Sequence, residues 1–401
     1  MTDDNTVADN HDRLAPPSLG SQDRASGGRY PEASRAGGSG GGIRRHAAGV
    51  ARQLSATDRL LPVWILLAMA LGIGLGRLWP GLGTALGLWQ IQHVSVPIAV
   101  GLLLMMYPIL ARVRYERAAD AARDWPMLAA SLLLNWVVGP AVMFVLASLL
   151  LPDQPALRTG VILVGLARCI AMVLVWNQLA DGDEAYATVL VAINALFQIV
   201  AYAALAVFYL GILPGWLGLR QQAIAINGET VAVTVAIFLG VPLVAGVITQ
   251  FALVKTKGRQ WYTTRFVRRT GRLTLIGLLF TIVVMFALQG STISAIPLTV
   301  GTVMLPLVAY FAVMFTLAFL GGRAAGFSYP KSTTLAFTAA SNDFELAIAV
   351  AVTVFGVASR EAFASVIGPL VEVPVLLALV YVALWARGRL FREASASVAD
   401  I

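Results

Sequence analysis

The sequence predicts an all-α integral membrane protein: ten transmembrane helices forming two inverted five-helix repeats, with the fourth and ninth helices broken. Three observations predict it. The 401 residues are 58% hydrophobic and 12% charged, far to the apolar side of ordinary soluble domains. Apolar runs follow one another from about residue 58 onward, each near the ~20 residues that a helix needs to cross the hydrocarbon core. Segments of the first half recur in the second, and each half holds an odd number of runs.

In order, the runs are Leu60–Gly76, Val94–Ala111, Met127–Leu151, Gly160–Ala180, Ala185–Leu213, Val231–Val254, Leu273–Leu288, Ile296–Gly321, Thr333–Val357 and Ala362–Trp385. Their continuous apolarity argues for helices, because barrel strands alternate with period two. Residues 1–58 hold no apolar core long enough for a signal peptide. They are rich in Gly, Ser, Asp and Arg, including ASRAGGSGGG at Ala33–Gly42, and so read as a disordered tail with too little apolar surface to offset its ordering entropy. The membrane domain is then 59–390, with repeat one at about 60–213 and repeat two at about 231–386, followed by a C-terminal tail at 391–401. The longest connection, Lys255–Gly271, is basic and is expected to be partly helical at the inner membrane surface.

With the N-terminus inside, only Arg77, Arg158, Arg220 and Arg360 of the 29 Lys and Arg residues fall in outside loops, and Arg168 falls within a span. All the others face the cytoplasm, which places both termini on the cytoplasmic side of the cell membrane. The formal net charge of +8 therefore reports topology and contact with anionic lipid, and nucleic acid is not among the expected partners.

The repeat rests on two pairs. GDEAYATVLVAINALFQIV from Gly182 lies on SREAFASVIGPLVEVPVLL from Ser359 without a gap, and AVMFVLA from Ala141 matches AVMFTLA from Ala312. An odd number of spans per half turns the second half upside down. Inverted repeats are typical of secondary transporters, whose sites lie near the bilayer midplane at the repeat interface.

Chemistry concentrates where the repeat predicts it. GLARCIA of the fourth span lies opposite NDFELAI of the ninth, an alignment that sets Arg168 against Glu345 and Cys169 against Leu346. A mid-membrane charge is expensive and faces a cavity or a partner. Ser341, Asn342, Asp343 and Glu345 fall within five residues of an apolar run, and an unwound segment lining a wet cavity would satisfy them. The tenth span adds Glu372 between Pro369 and Pro374, which free the carbonyls of Ser365 and Leu370. The plainer alternative is an ion pair of Arg168 with Glu345 or Glu372 that only fixes packing, with Asn177, Asn194 and Gln198 as interhelical hydrogen-bonding groups. Cys169, the lone cysteine, excludes an internal disulfide and a multi-cysteine metal cage. It reads either as a small buried hydrophobe or, beside a guanidinium and a helix end, as a thiol for soft substrates.

GLARCIAMVLVWNQLADGD, NALFQ, TAASNDFELAIAVA and GPLVEVPVLL resemble the signature segments of the arsenical-resistance-3 type arsenite efflux permeases, within the bile acid, arsenite and riboflavin transporter superfamily. The resemblance covers about Leu60 to Arg389. It implies crossing of the broken fourth and ninth helices, and export of arsenite, with antimonite as a further cargo, driven by protons. It also implies that Cys169 and Glu345 are the functional pair. Arg168 is then expected to tune the substrate site, and Glu372, Asp343 and Asn342 to serve ion or proton coupling. No cofactor is expected. Expected partners are arsenite or antimonite, protons, the lipid bilayer and, as one assembly alternative, a second copy in a homodimer. A sodium-coupled organic anion carrier of the same superfamily is the alternative function, with Cys169 incidental. An enzyme is disfavoured: His11, His46 and His93 are the only histidines, none lies mid-span, and no H-E-x-x-H, G-x-S-x-G or phosphate-loop pattern occurs.

Overall fold

The computed structural model describes residues 60–391 apart from 80, 83–84, 86–88, 92–93, 114–123, 220–225, 296 and 358. The N-terminal tail, all three histidines, the loop at 114–123 and all but the first residue of the C-terminal tail lie outside the described residues.

Apolar runs become helices because, without water, a backbone must satisfy its own polar groups. The first two are α1 (Leu61–Leu78) and α2 (Val96–Arg112), separated by a two-residue hairpin of β1 (Gln90–Ile91) and β2 (Val94–Ser95). Next comes α3 (Trp125–Leu150). The fourth run then divides into α4 (Pro155–Leu166) and α5 (Met172–Leu179). Long helices follow as α6 (Glu184–Trp216), α7 (Gly228–Lys257) and α8 (Arg259–Leu288), then α9 (Pro297–Ala324). The ninth run divides into α10 (Tyr329–Ala340) and α11 (Phe344–Phe355), and α12 (Arg360–Leu390) closes the chain. Among the described residues, six helices are long and apolar enough to cross a membrane.

Four helices widen into a π-turn at one place each: Leu134–Val138 in α3, Val207–Ile212 in α6, Ala236–Gly240 in α7 and Tyr262–Phe266 in α8. Each of the first three stands two residues before a proline, at Pro140, Pro214 and Pro242, while the turn in α8 has no proline after it in that helix. A proline has no N–H for the carbonyl four residues back and crowds it. Those carbonyls belong to Trp136, Leu210 and Phe238, all inside the widened turns. By contrast, α12 runs through Pro369 and Pro374 without interruption.

The basic connection is helical apart from one residue, Gly258, at φ 81°, and α7 and α8 meet across it. The basic residues at 255–272 sit on the ends of these two helices, where Lys255 and Lys257 face the C-terminal negative end of the α7 dipole.

Packing divides the helices into two groups. One contains α1, α2, α8 and the C-terminal part of α7; the other contains α3 to α6 and α9 to α12, with the first turns of α7 resting on α6 and α11.

Candidate functional site

The two interruptions meet. Residues 167–171 and 341–343 are non-helical, and Arg168 and Asn342 form an antiparallel bridge. Its two bonds are reciprocal: Cys169 N–H donates to Ser341 O at 3.3 Å and Asp343 N–H to Ala167 O at 3.3 Å. They define a local twofold relation that takes Ala167 to Ser341, Arg168 to Asn342 and Cys169 to Asp343. The same shift takes α4 onto α10, each twelve residues long. The expected pairing of Arg168 with Glu345 is therefore three residues out of register.

Each interruption exposes helix-end carbonyls that need donors. Asn342 Nδ2 donates to Val164 O at 2.9 Å and Ala167 O at 3.0 Å, closing the end of α4. The Arg168 guanidinium, fully buried, donates to Gly165 O at the end of α4, to Ala339 O at the end of α10 at 3.3 Å, and to the Tyr310 hydroxyl of α9 at 2.7 Å. Gly139 leaves room for this group, since a Cβ there would stand 2.9 Å from Arg168 Nη1. Arg168 is thus a cation shared by two helix C-termini.

The Arg168 side chain and the thiol face apart. In an extended segment, neighbouring side chains point to opposite faces, so Arg168 turns toward α9 while Cys169 turns away. The groups acting electrostatically on the thiol are Glu372, Asp343 and Glu345, with the Ser341 side chain beside it. Arg168 pairs with neither Glu345 nor Glu372; its bonds go to carbonyls and a phenol.

The carboxylates gather on the other side of the crossing. Glu372 of α12 accepts from Ser341 Oγ at 2.5 Å and from the Asn342 backbone N–H. The Asp343 side chain accepts from Leu346 N–H at 3.0 Å and so caps α11, and its carboxyl neighbours that of Glu345 in the first turn of that helix. Gln198 of α6 accepts from Arg168 N–H at 2.5 Å and reaches Asp343 Oδ2 with its amide nitrogen at 3.4 Å. All six expected site residues therefore lie at one crossing. Tyr310, Gly139 and the bridging position of Gln198 were not expected; a tyrosine or glycine inside an apolar run carries no signal of its own.

The family signature of the Sodium Bile acid symporter family matches residues 99–296. An arsenical-resistance protein Acr3 of Corynebacterium glutamicum is 50% identical over 339 residues, 84% of this chain and 92% of that one. The chain belongs to the Acr3 arsenical-resistance family. A second Acr3, from Alkaliphilus metalliredigens, is 31% identical over 333 residues, covering 80% and 91% of the two chains. An uncharacterized transporter of Synechocystis sp. is 33% identical over 346 residues, covering 82% and 88%. The chain is accordingly a multi-pass membrane transporter and not an enzyme.

In this Acr3-family chain a cavity of about 680 Å³ lies between the two helix groups. α2 and α8 form one wall, α5 and the start of α6 the other. Arg112, Arg268 and Arg272 stand among its lining, and on the α5 side it reaches Ala171 and Met172, two and three residues from Cys169. Cys169 itself is 5% exposed and does not line the cavity. The helix ends behind this wall are tied together. Lys331 meets Asp124 at 2.5 Å, the Tyr186 hydroxyl donates to Asp124 at 2.6 Å, and Arg387 meets Asp181 at 2.8 Å. The Lys331 hydrogen bond is the main reason that the Asp124 carboxyl is held below its usual range.

Proposed function

We propose that this chain is a secondary carrier that exports trivalent arsenic from the cytoplasm by proton antiport, with arsenite as cargo and antimonite as its close analogue. The architecture in this reading is ten spans in two inverted repeats, with both termini cytoplasmic, and the cavity is the cytoplasmic entrance. The observation that carries the proposal is the crossing itself, where a single thiol faces Glu372, Asp343 and Glu345 beside a cavity lined by α2, α5 and α8.

Trivalent arsenic is thiophilic, and three thiolates would hold it too tightly for a carrier. One thiol can bind and release. Cys169 forms one As–S bond as its hydrogen and one arsenite hydroxyl leave as water, and hydrolysis reverses the step. Glu345 accepts a hydrogen bond from a remaining hydroxyl or takes up a proton from outside, and Glu372 is a second proton carrier. Asp343 and Asn342 hold the ion-coupling segment in place. Rocking of the α1, α2, α7 and α8 group against the other then alternates access.

Everted membrane vesicles containing the protein are expected to accumulate arsenite when a pH gradient is imposed. Undiminished accumulation by the Cys169→Ser, Glu345→Gln double variant would overturn the assigned roles. A second reading, sodium-coupled transport of an organic anion, is favoured by the symporter-family match and by the three arginines of the cavity. Sodium-driven uptake without arsenite transport would establish it.

A further inference from the structure

Gln198 lies on α6, outside both interruptions, and it is fully buried. Its amide touches each interrupted segment once. A backbone N–H can only donate, so the oxygen of the amide must be the atom that meets Arg168 N–H. That fixes the amide orientation and leaves its NH2 facing the Asp343 carboxylate. One rigid group thus spans the residue before the thiol and the carboxylate that caps α11. Around it stand the Arg168 guanidinium on the fourth-span side, Asp343 and Glu345 on the ninth, Glu372 from α12, and the Tyr202 phenol one turn along α6.

We propose that Gln198 is the positioning residue that couples the two halves of the site. Through its amide, cargo bound at Cys169 and the coupling ion bound at the carboxylates each sense the other across the crossing. The geometry favours this over plain packing, because a packing contact has no need to address both segments with opposite ends of one amide. Coupling between two sites is a free energy, reciprocal between them, and it is lost when the group that transmits it is cut while each site survives. This inference rests on the proposed export function.

Two variants separate the contacts. Gln198→Glu keeps an oxygen for Arg168 N–H and places a second oxygen where the NH2 faced Asp343; Gln198→Leu removes both contacts. Purified protein in vesicles is assayed for arsenite exchange without a gradient, and for accumulation driven by an imposed pH gradient. The expected result for Gln198→Glu is accumulation reduced about tenfold or more with exchange retained, a loss of coupling within the usual range. Gln198→Leu is expected to lose accumulation as well and to raise the KM for exchange, because Arg168 N–H, beside Cys169, loses its acceptor.

Wild-type accumulation by Gln198→Glu, or loss of exchange and accumulation in equal proportion in a variant that melts like wild type, would overturn the proposal. If Gln198→Leu does not fold, Gln198→Glu decides alone. A wild-type protein that neither exchanges nor accumulates arsenite would instead overturn the functional reading and this inference with it, so the two failures are distinct.

Discussion

Asn342→Leu tests whether the crossing is held by side-chain caps. The substitution removes both Nδ2 bonds, to Val164 O and Ala167 O. A buried carbonyl left bare costs ~1–3 kcal/mol, so two would cost several. Neither is left bare, however. Val164 O still accepts from Ala167 N–H at 3.1 Å, and Ala167 O still accepts from Asp343 N–H at 3.3 Å. Hydrogen bonds inside membranes also average only ~0.6 kcal/mol, because the unfolded chain finds partners there too. The low end wins, and the expected loss is about 1–2 kcal/mol. That is a fall of a few degrees in the melting temperature for a chain of this size, measured on the purified protein in detergent. Asn342→Asp should cost at least as much, since it replaces the double donor with an oxygen aimed at two carbonyls. Melting of Asn342→Leu at the wild-type temperature, or full stability of Asn342→Asp, would refute the capping argument.

Cys169→Ser should abolish arsenite accumulation in everted vesicles while leaving the melting temperature within a few degrees, because serine nearly matches the buried thiol in volume. At Gly368 an added Cβ would stand 1.8 Å from two ring carbons of Phe344. Gly368→Ala should therefore destabilise by about 1–3 kcal/mol, and a second change, Phe344→Leu, should recover part of the loss in the same melting assay. Lys331→Met should cost below about 1 kcal/mol at neutral pH, since partly exposed ion pairs are weak. The folded-state Asp124 pKa lies below its ordinary value, so this contribution is present above about pH 4 and disappears as the pH falls through the folded value. Wild type and variant should converge in acid, and a gap that widens on acidification would contradict the assignment. Glu372→Gln keeps an oxygen for Ser341 Oγ but cannot carry a proton. It should fold normally and lose gradient-driven accumulation, as counterflow and accumulation assays run together will show.

Both interruptions could be read from the chain because charge inside an apolar run is costly enough to demand a local solution. Arg168, Asn342 and Asp343 mark the breaks by residue type alone. The register of the crossing could not be read. Alignment of the halves rests on Ala, Val, Leu and Phe, which look alike at many offsets, whereas two backbone hydrogen bonds set the offset at the bridge. Side-chain direction was hidden for a related reason. Arg168 and Cys169 are neighbours in sequence, and only the extended backbone at Ala167, with ψ at 131°, shows that they face apart. The merging of α7 and α8 at Gly258 was hidden too, since lysines and arginines are good helix formers and a basic stretch can extend a helix as readily as interrupt it.

The local twofold relation makes the departures from symmetry informative. At Asp343 a carboxylate caps the helix that follows, while the related position on the other strand is Cys169. There, α5 begins at Met172, and its N-cap, Ala171, offers no side-chain cap. At Arg168 and Asn342 both strands supply donors to helix-end carbonyls, one with a guanidinium and one with an amide. The capping needs of the fold are therefore met at the 168/342 pair and at Asp343. Cys169 has no part in them beyond its backbone N–H. A residue that the fold does not require as a cap, set where its symmetry mate is one, is free to be chosen for its chemistry.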